Sequence, residues 1–183
     1  GLAITLGVGM VLAASIVGQA ASRSASELSE EGPRVDLEVF SRDGAPFDEA
    51  VLDALRAYPD VEQVSPSLRV EAEGVDPEIP RLTLLGVDPA IYEDLHQPEL
   101  AGGAFLDEPG SIVLPMMVAI DHGLHAGDEI TLAAEEQRVT LTVGGRLKLE
   151  QDVTALAGST TAYAPLNAAQ ALAGVPGQID QVE

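Results

Sequence analysis

Residues 128–143 read D-E-I-T-L-A-A-E-E-Q-R-V-T-L-T-V, and the fold is decided there. Val139, Leu141 and Val143 alternate with Arg138, Thr140 and Thr142 in the strictest period-two pattern of the chain. Successive side chains of a strand point to opposite faces, so this pattern predicts a strand with one face in a core. Asp128-Glu129 opens a second extended run, Ile130-Thr131-Leu132-Ala133, and Glu135-Glu136-Gln137 separates the two. The whole segment therefore reads as a β-hairpin.

Working upstream, Met116 to Leu124 has the spacing of a short helix and Ser111 to Leu114 that of an apolar strand. Gly86 to Gly103 is rich in turn residues (Pro89, Pro98, Gly102-Gly103), with one helical turn around Ile91 to Leu95. Leu68, Val70 and Ala72 alternate with Arg69, Glu71 and Glu73, and Arg81 to Leu85 repeats the pattern. These predict two strands joined by an acidic, proline-containing loop. Phe47, Val51 and Leu55 recur at four-residue steps between Pro46 and Pro59, which predicts an amphipathic helix. Val35, Leu37 and Val39 alternate with acids and mark a first strand through Phe40.

Downstream, Thr160 to Leu166 reads as a strand, with Asn167 as the cap of a short helix that Gly174 to Gly177 ends. Gln178 to Glu183 alternates like a strand and lacks a polar tail, so the sequence reads as a fragment truncated at both ends. The predicted class is α+β. Residues 34–87 form a small α+β lobe, with its helix over one sheet face and its acids toward water, and residues 88–183 form a mainly β lobe.

The first 21 residues, GLAITLGVGMVLAASIVGQAA, contain no charge and have the length a helix needs to cross a bilayer. Residues 1–21 are expected to form a transmembrane helix; a secretory signal peptide is the competing reading, supported by the small residues around Gln19 to Ser22 and opposed by the missing basic start. Either way, the chain beyond Arg23 is sent across the membrane. Gly9 and Ala13, and Ala14 and Gly18, have the four-residue spacing of a close helix contact, or of ordinary alanine-rich composition. Residues 22–33, polar and acidic, form a stalk closed by Gly32-Pro33.

Composition removes whole classes of function. There are 30 acidic side chains against 9 basic ones, for a net charge of -21, and Lys148 is the single lysine. Phosphate backbones are bound through cationic side chains, so nucleic-acid binding is excluded. With no cysteine, disulfides, thiolate metal sites and cysteine nucleophiles are excluded as well. The acid excess either attracts cationic partners or serves solubility in a salty exterior.

His122 and His125 stand three apart, within reach of Asp121 or Asp128, but Gly123 breaks the helix between them and no third ligand has matching spacing, so surface histidines are the expectation. His96 stands alone in sequence. The acidic pairs Glu30-Glu31, Asp107-Glu108, Asp128-Glu129 and Glu135-Glu136 match no calcium loop. Gly7-Val8-Gly9 lacks the third glycine of a dinucleotide loop, there is no phosphate loop or nucleophile elbow, and Ser159-Thr160-Thr161 has no neighbouring base. No catalytic, cofactor or metal residue is predicted, and substrate contacts stay unassigned.

Several stretches in order carry a family likeness: Pro59 to Pro66 (PDVEQVSP), Leu84 to Pro89 (LLGVDP) with Tyr92, Gly102 to Leu106 (GGAFL), Gly110 to Leu114, Ala119 to Ile130, Val143-Gly144-Gly145, and Ala162 to Leu166. In this succession the chain resembles the extracytoplasmic core domain of FtsX/MacB-like ABC transporter permeases. It departs at Thr142, where Val or Ile is usual, and at His122, where Leu is commoner. The resemblance implies a domain between the first and second membrane helices of a non-catalytic permease, with three more helices beyond it. It also implies a permease dimer, a separate or fused ATPase partner, and mechanical transmission of ATP-driven motion to a lipoprotein, peptide, small-molecule or protein cargo. The expected location is the cell membrane, with the main domain extracytoplasmic. By their residue types Gly86, Asp88, Pro89, Gly123, Gly127 and Asp128 are turn formers. The rival function is a secreted or membrane-anchored acidic binding module, and an enzyme resting on the two histidines is more distant.

Overall fold

The structure is a computed structural model that describes residues 37–41, 44–148 and 160–183. The expectations for the apolar segment 1–21, its small-residue spacings, the stalk 22–33 and the motifs at Gly7 and Ser159 lie outside the described residues.

The predicted hairpin is formed by β7 (Glu129–Ala134) and β8 (Gln137–Leu147), which pair antiparallel from Glu129↔Thr142 to Ala134↔Gln137. Glu135 turns the corner with φ 50. Strands β3 (Pro66–Asp76) and β4 (Glu78–Val87) form a second antiparallel hairpin. The two hairpins then join, because the far end of β3 pairs with β7 through Glu73↔Ala133 and Gly74↔Leu132.

On the other side β4 runs parallel to β9 (Thr161–Pro165), β9 meets β6 (Ser111–Pro115) at Val113↔Tyr163, and β6 runs parallel to β8. The pairings thus form a closed circuit, β3-β4-β9-β6-β8-β7 and back to β3, which removes most of the exposed strand edge. Strands from either side of residue 87 share this one sheet, and the described residues form one compact unit.

The circuit encloses the main core. Leu68, Val70 and Ala72 of β3 meet Leu82 and Leu84 of β4, Ile112 and Leu114 of β6, Ile130 and Leu132 of β7, Leu141 and Val143 of β8, and Ala162 and Ala164 of β9. Each fully buried leucine or isoleucine contributes about 1.5–3 kcal/mol relative to exposure. Arg69, Glu71 and Glu73 face water, as their alternation predicts.

Helix α4 (Leu166–Ala173) packs across the circuit and inserts Ala169 and Leu172 into the core. Its path against β4 needs a glycine at position 86, where a Cβ would meet the Ala169 methyl. The expected cap Asn167 lies inside the first turn instead, and Pro165 takes the N-cap position without a side-chain hydrogen bond. Gly174 ends the helix in the left-handed conformation, as its residue type predicts.

A β-bulge moves β8 from one face to the other. Ile112 pairs with Val143 but Val113 pairs with Gly145, so one extra residue, Gly144, shifts the alternation. Leu141 and Val143 point into the main core, whereas Leu147 joins a second cluster with Val87, Phe105, Leu106 and Val113. That cluster is covered by α2 (Pro89–His96), longer than the single turn expected, and by β5 (Leu100–Gly103), which pairs with β8. Asp88 caps α2 by accepting from the Ile91 N–H, and Pro89 occupies its first turn. Helix α3 (Met116–Asp121) follows β6 as predicted.

The largest difference from expectation is at residues 47–58. Phe47 does not begin a helix: β2 (Phe47–Asp48) pairs with β10 (Gln178–Ile179), and only Val51–Arg56 form helix α1. Phe47, Val51 and Leu55 still share one cluster, around Leu52, Val64, Ile179 and Val182. A four-residue spacing of apolar side chains was therefore real as a face, but a partner strand distant in sequence, β10, claims its first member.

Candidate functional site

The first and last described strands lie side by side. β1 (Val39–Phe40) pairs antiparallel with β11 (Gln181–Val182) through Val39↔Val182 and Phe40↔Gln181. β11 in turn pairs with the start of β3. Of the described residues in the Val35 to Phe40 pattern, only Val39 and Phe40 are strand, and Leu37 is exposed rather than half-buried.

The last residues are fastened by several bonds. The Ser65 N–H donates to the Glu183 carbonyl at 2.8 Å, and the Glu183 N–H returns a bond to Ser65 at 3.0 Å. The Asp180 N–H donates to the Ser67 carbonyl, while the Asp180 carboxylate accepts from the Arg69 N–H. Ile179 and Val182 are buried against Leu52 and Val64, which anchors the same segment by apolar contact. Backbone pairing fixes the direction of this segment and the two buried side chains resist its withdrawal.

One further contact comes from α2. His96 Nε2 lies 2.6 Å from Glu183 Oε2, with both side chains less than a fifth exposed, and the other carboxylate oxygen accepts from the Gln181 amide. The His96 ring stacks on Tyr92 with centroids 4.1 Å apart. Tyr92 also stacks on Phe105 and lies 3.4 Å, hydroxyl to hydroxyl, from Tyr163. Burial, followed by the neighbouring Tyr163 and Glu183, pushes the Tyr92 phenol well above its ordinary value, so it stays protonated across physiological pH. These four rings tie α2 to the outward face of β9 in one aromatic layer, and His96 links that layer to Glu183 beside β11.

His96, solitary in sequence, is thus the histidine with the most intimate partners. Its spacing from Tyr92 places both rings on one helix face, a signal readable from sequence, whereas Glu183 lies on another element. His122 sits at the C-terminal cap of α3. His125 is exposed, and Asp128 accepts from its backbone N–H at 2.7 Å, so Asp128 closes a turn. Among the described residues no group of three or more His, Asp or Glu side chains is placed to hold a metal ion. Asp107 and Glu108 border an open groove of about 280 Å³ with Ser111 and Thr142, and Glu135-Glu136 forms the hairpin turn.

A second open groove, of about 330 Å³, lies between Arg56, Val61 to Val64 and Ile91. The described residues include no helix long and apolar enough to cross a membrane. The site is a fastening of β11 and Glu183 to β1, to Ser65 and to His96 of α2.

Comparison with known proteins agrees with this architecture. Residues 2–182 match the family described as the MacB-like periplasmic core domain. The ABC transporter permease protein Rv0987 of Mycobacterium tuberculosis, itself described as uncharacterized, is 28% identical over 108 residues, covering 56% of this chain and 13% of that protein. The chain thus matches a small part of its relative's length. The extracellular domain of the noncanonic ABC-type transporter YknZ from Gram-positive bacteria superimposes with a TM-score of 0.59 at 18% identity, covering 79% of each chain. The periplasmic region of MacB from Actinobacillus actinomycetemcomitans gives 0.54 at 14% identity, covering 79% of this chain and 64% of that one. At those identities the two structures establish the fold, a mixed α/β domain of the MacB and YknZ type. The match over residues 2–182 establishes the family: this chain belongs to the MacB-like periplasmic core domains, the extracytoplasmic domains of ABC transporter permeases.

Proposed function

We propose that the domain is a mechanical coupler, which passes ATP-driven movement of membrane helices to an extracytoplasmic cargo or partner protein. The supporting observation is the side-by-side pairing of β1, the described strand that follows residues 1–33, with β11. A domain inserted between two membrane helices needs that arrangement, since both helices then pull on neighbouring strands. β11 also pairs with β3, a member of the closed strand circuit, so displacement of β11 reaches the core through a hydrogen-bonded ladder.

In the complete protein, residues 1–21 span the membrane and residues 22–33 form the stalk. The stretches 34–87 and 88–183, joined through one sheet, move as a body. The permease is a dimer served by an ABC ATPase subunit or domain, and its own outer domain carries no catalysis. Cargo of the lipoprotein, peptide or small-molecule kind is contacted by the face away from the β1–β11 end.

A run of glycines inserted within residues 22–33 tests this in the complete permease with its ATPase. With spin labels at the exposed hairpin position Glu136 of two copies, nucleotide binding should change the inter-label distance in the wild type. The insertion should abolish that change while leaving the domain folded. An unchanged response in the insertion variant would overturn the coupling role. Further apolar spans after Glu183 in the reading frame are also expected, and a stop soon after it would favour the secreted acidic binding module.

A further inference from the structure

We infer that His96 and Glu183 form a clasp that joins α2 to β11, so that movement of β11 carries α2 and its aromatic layer with it. The inference rests on the coupling role proposed above and names the residues that route it.

Helix α2 contributes no buried residue, in contrast to α4 with its three. Its seat is set by the Asp88 cap at one end, by the half-buried Tyr92 in the middle, and by His96 at the other end. An element with so little buried apolar surface is free to shift at small cost, because few packing contacts must be rebuilt. Whatever grips its C-terminal end therefore decides whether it follows β11.

The His96–Glu183 contact has the properties such a grip needs. It is short, at 2.6 Å, and its two side chains are only 17% and 18% exposed, so water competes weakly for them. Both partners are oriented by second contacts: the imidazole by its stack on Tyr92, and the carboxylate by Gln181. Glu183 is held through its backbone to Ser65 on the other side, so its side chain bridges the strand ladder and the helix.

His96 and Glu183 are positioning residues, and hydrogen exchange read by mass spectrometry in the complete permease with its ATPase tests them. In the wild type, nucleotide binding should change exchange in both β11 and α2. In H96A the α2 amides should exchange about tenfold faster at rest, the loss expected for one charge-assisted hydrogen bond, with the strand circuit unchanged. The nucleotide response of β11 should persist in H96A and that of α2 should vanish, and H96Q, which keeps a donor for Glu183, should restore it. A purely structural His96 would raise resting exchange yet leave the nucleotide response of α2 in place, and that result overturns the clasp. A wild type in which β11 responds and α2 does not overturns the clasp alone. No response in either element overturns the coupling role, and the clasp falls with it.

Discussion

Alanine at position 86 should strain the contact between β4 and α4 more than any ordinary core substitution of one methyl. A Cβ on residue 86 would stand 2.3 Å from the Ala169 Cβ and 3.2 Å from the Leu166 Cα. Non-bonded carbons rest about 3.5–4.0 Å apart, so α4 must retreat by roughly 1.5 Å. Neither methyl can rotate away, since both are fixed to the backbone, and Ala169 is fully buried. The retreat would also lift Leu172, another fully buried residue, from the main core. Overpacking of this kind costs about 1–3 kcal/mol, and the absence of any rotamer escape argues for the upper end. For a chain of this length that lowers the midpoint of thermal unfolding by about 6–12 °C. Circular dichroism during heating and urea unfolding would read the loss. The double variant G86A/A169G removes the contacted methyl, so it should be more stable than the sum of the single effects by about 1–2 kcal/mol, even though A169G alone loses about 1 kcal/mol of helix propensity. A G86A protein within about 0.5 kcal/mol of wild type, or a strictly additive cycle, would refute the close-contact explanation.

Other variants probe separate parts of the fold. Tyr92 has a folded-state pKa above its unfolded value, so below about pH 10 both states keep the proton and the group adds no slope. Above it the unfolded chain ionises first and stability falls by up to about 1.4 kcal/mol per pH unit, a slope that Tyr92→Phe should remove from alkaline unfolding curves. Gln170 of α4, buried, donates to both Glu49 and the Gln178 carbonyl, so Gln170→Leu should cost about 1–3 kcal/mol by urea titration. A cost near zero would mean that water replaces both bonds. Zinc or a chelator should leave the melting temperature unchanged, because no three His, Asp or Glu side chains among the described residues are placed to share a metal; a zinc-dependent rise lost in H125A would contradict that.

Local pattern was enough to locate most of the elements. The hairpin of residues 129–143, the β3 and β4 alternations, the strand at Ser111 and the glycine stop at Gly174 are short-range features, set by side-chain period, turn chemistry and left-handed backbone preference. The family likeness was also readable, since it rests on an ordered series of turn glycines and strand apolars. Which strands become neighbours was not, because a strand's pattern states which face is buried and says nothing about who lies beside it. The closure of β3 onto β7, the parallel seating of β9 on β4 and the capture of Phe47 by β10 depend on partners distant in sequence. The bulge at Gly144, which sends Leu147 to a different core from Val143, is likewise hidden in an uninterrupted run of strand residues. Local order thus determined the family and most of the secondary structure. The tertiary fold alone decided that Val39–Phe40 lie beside Gln181–Val182 and that His96, solitary in sequence, meets Glu183, since both depend on pairing between residues that only folding brings together.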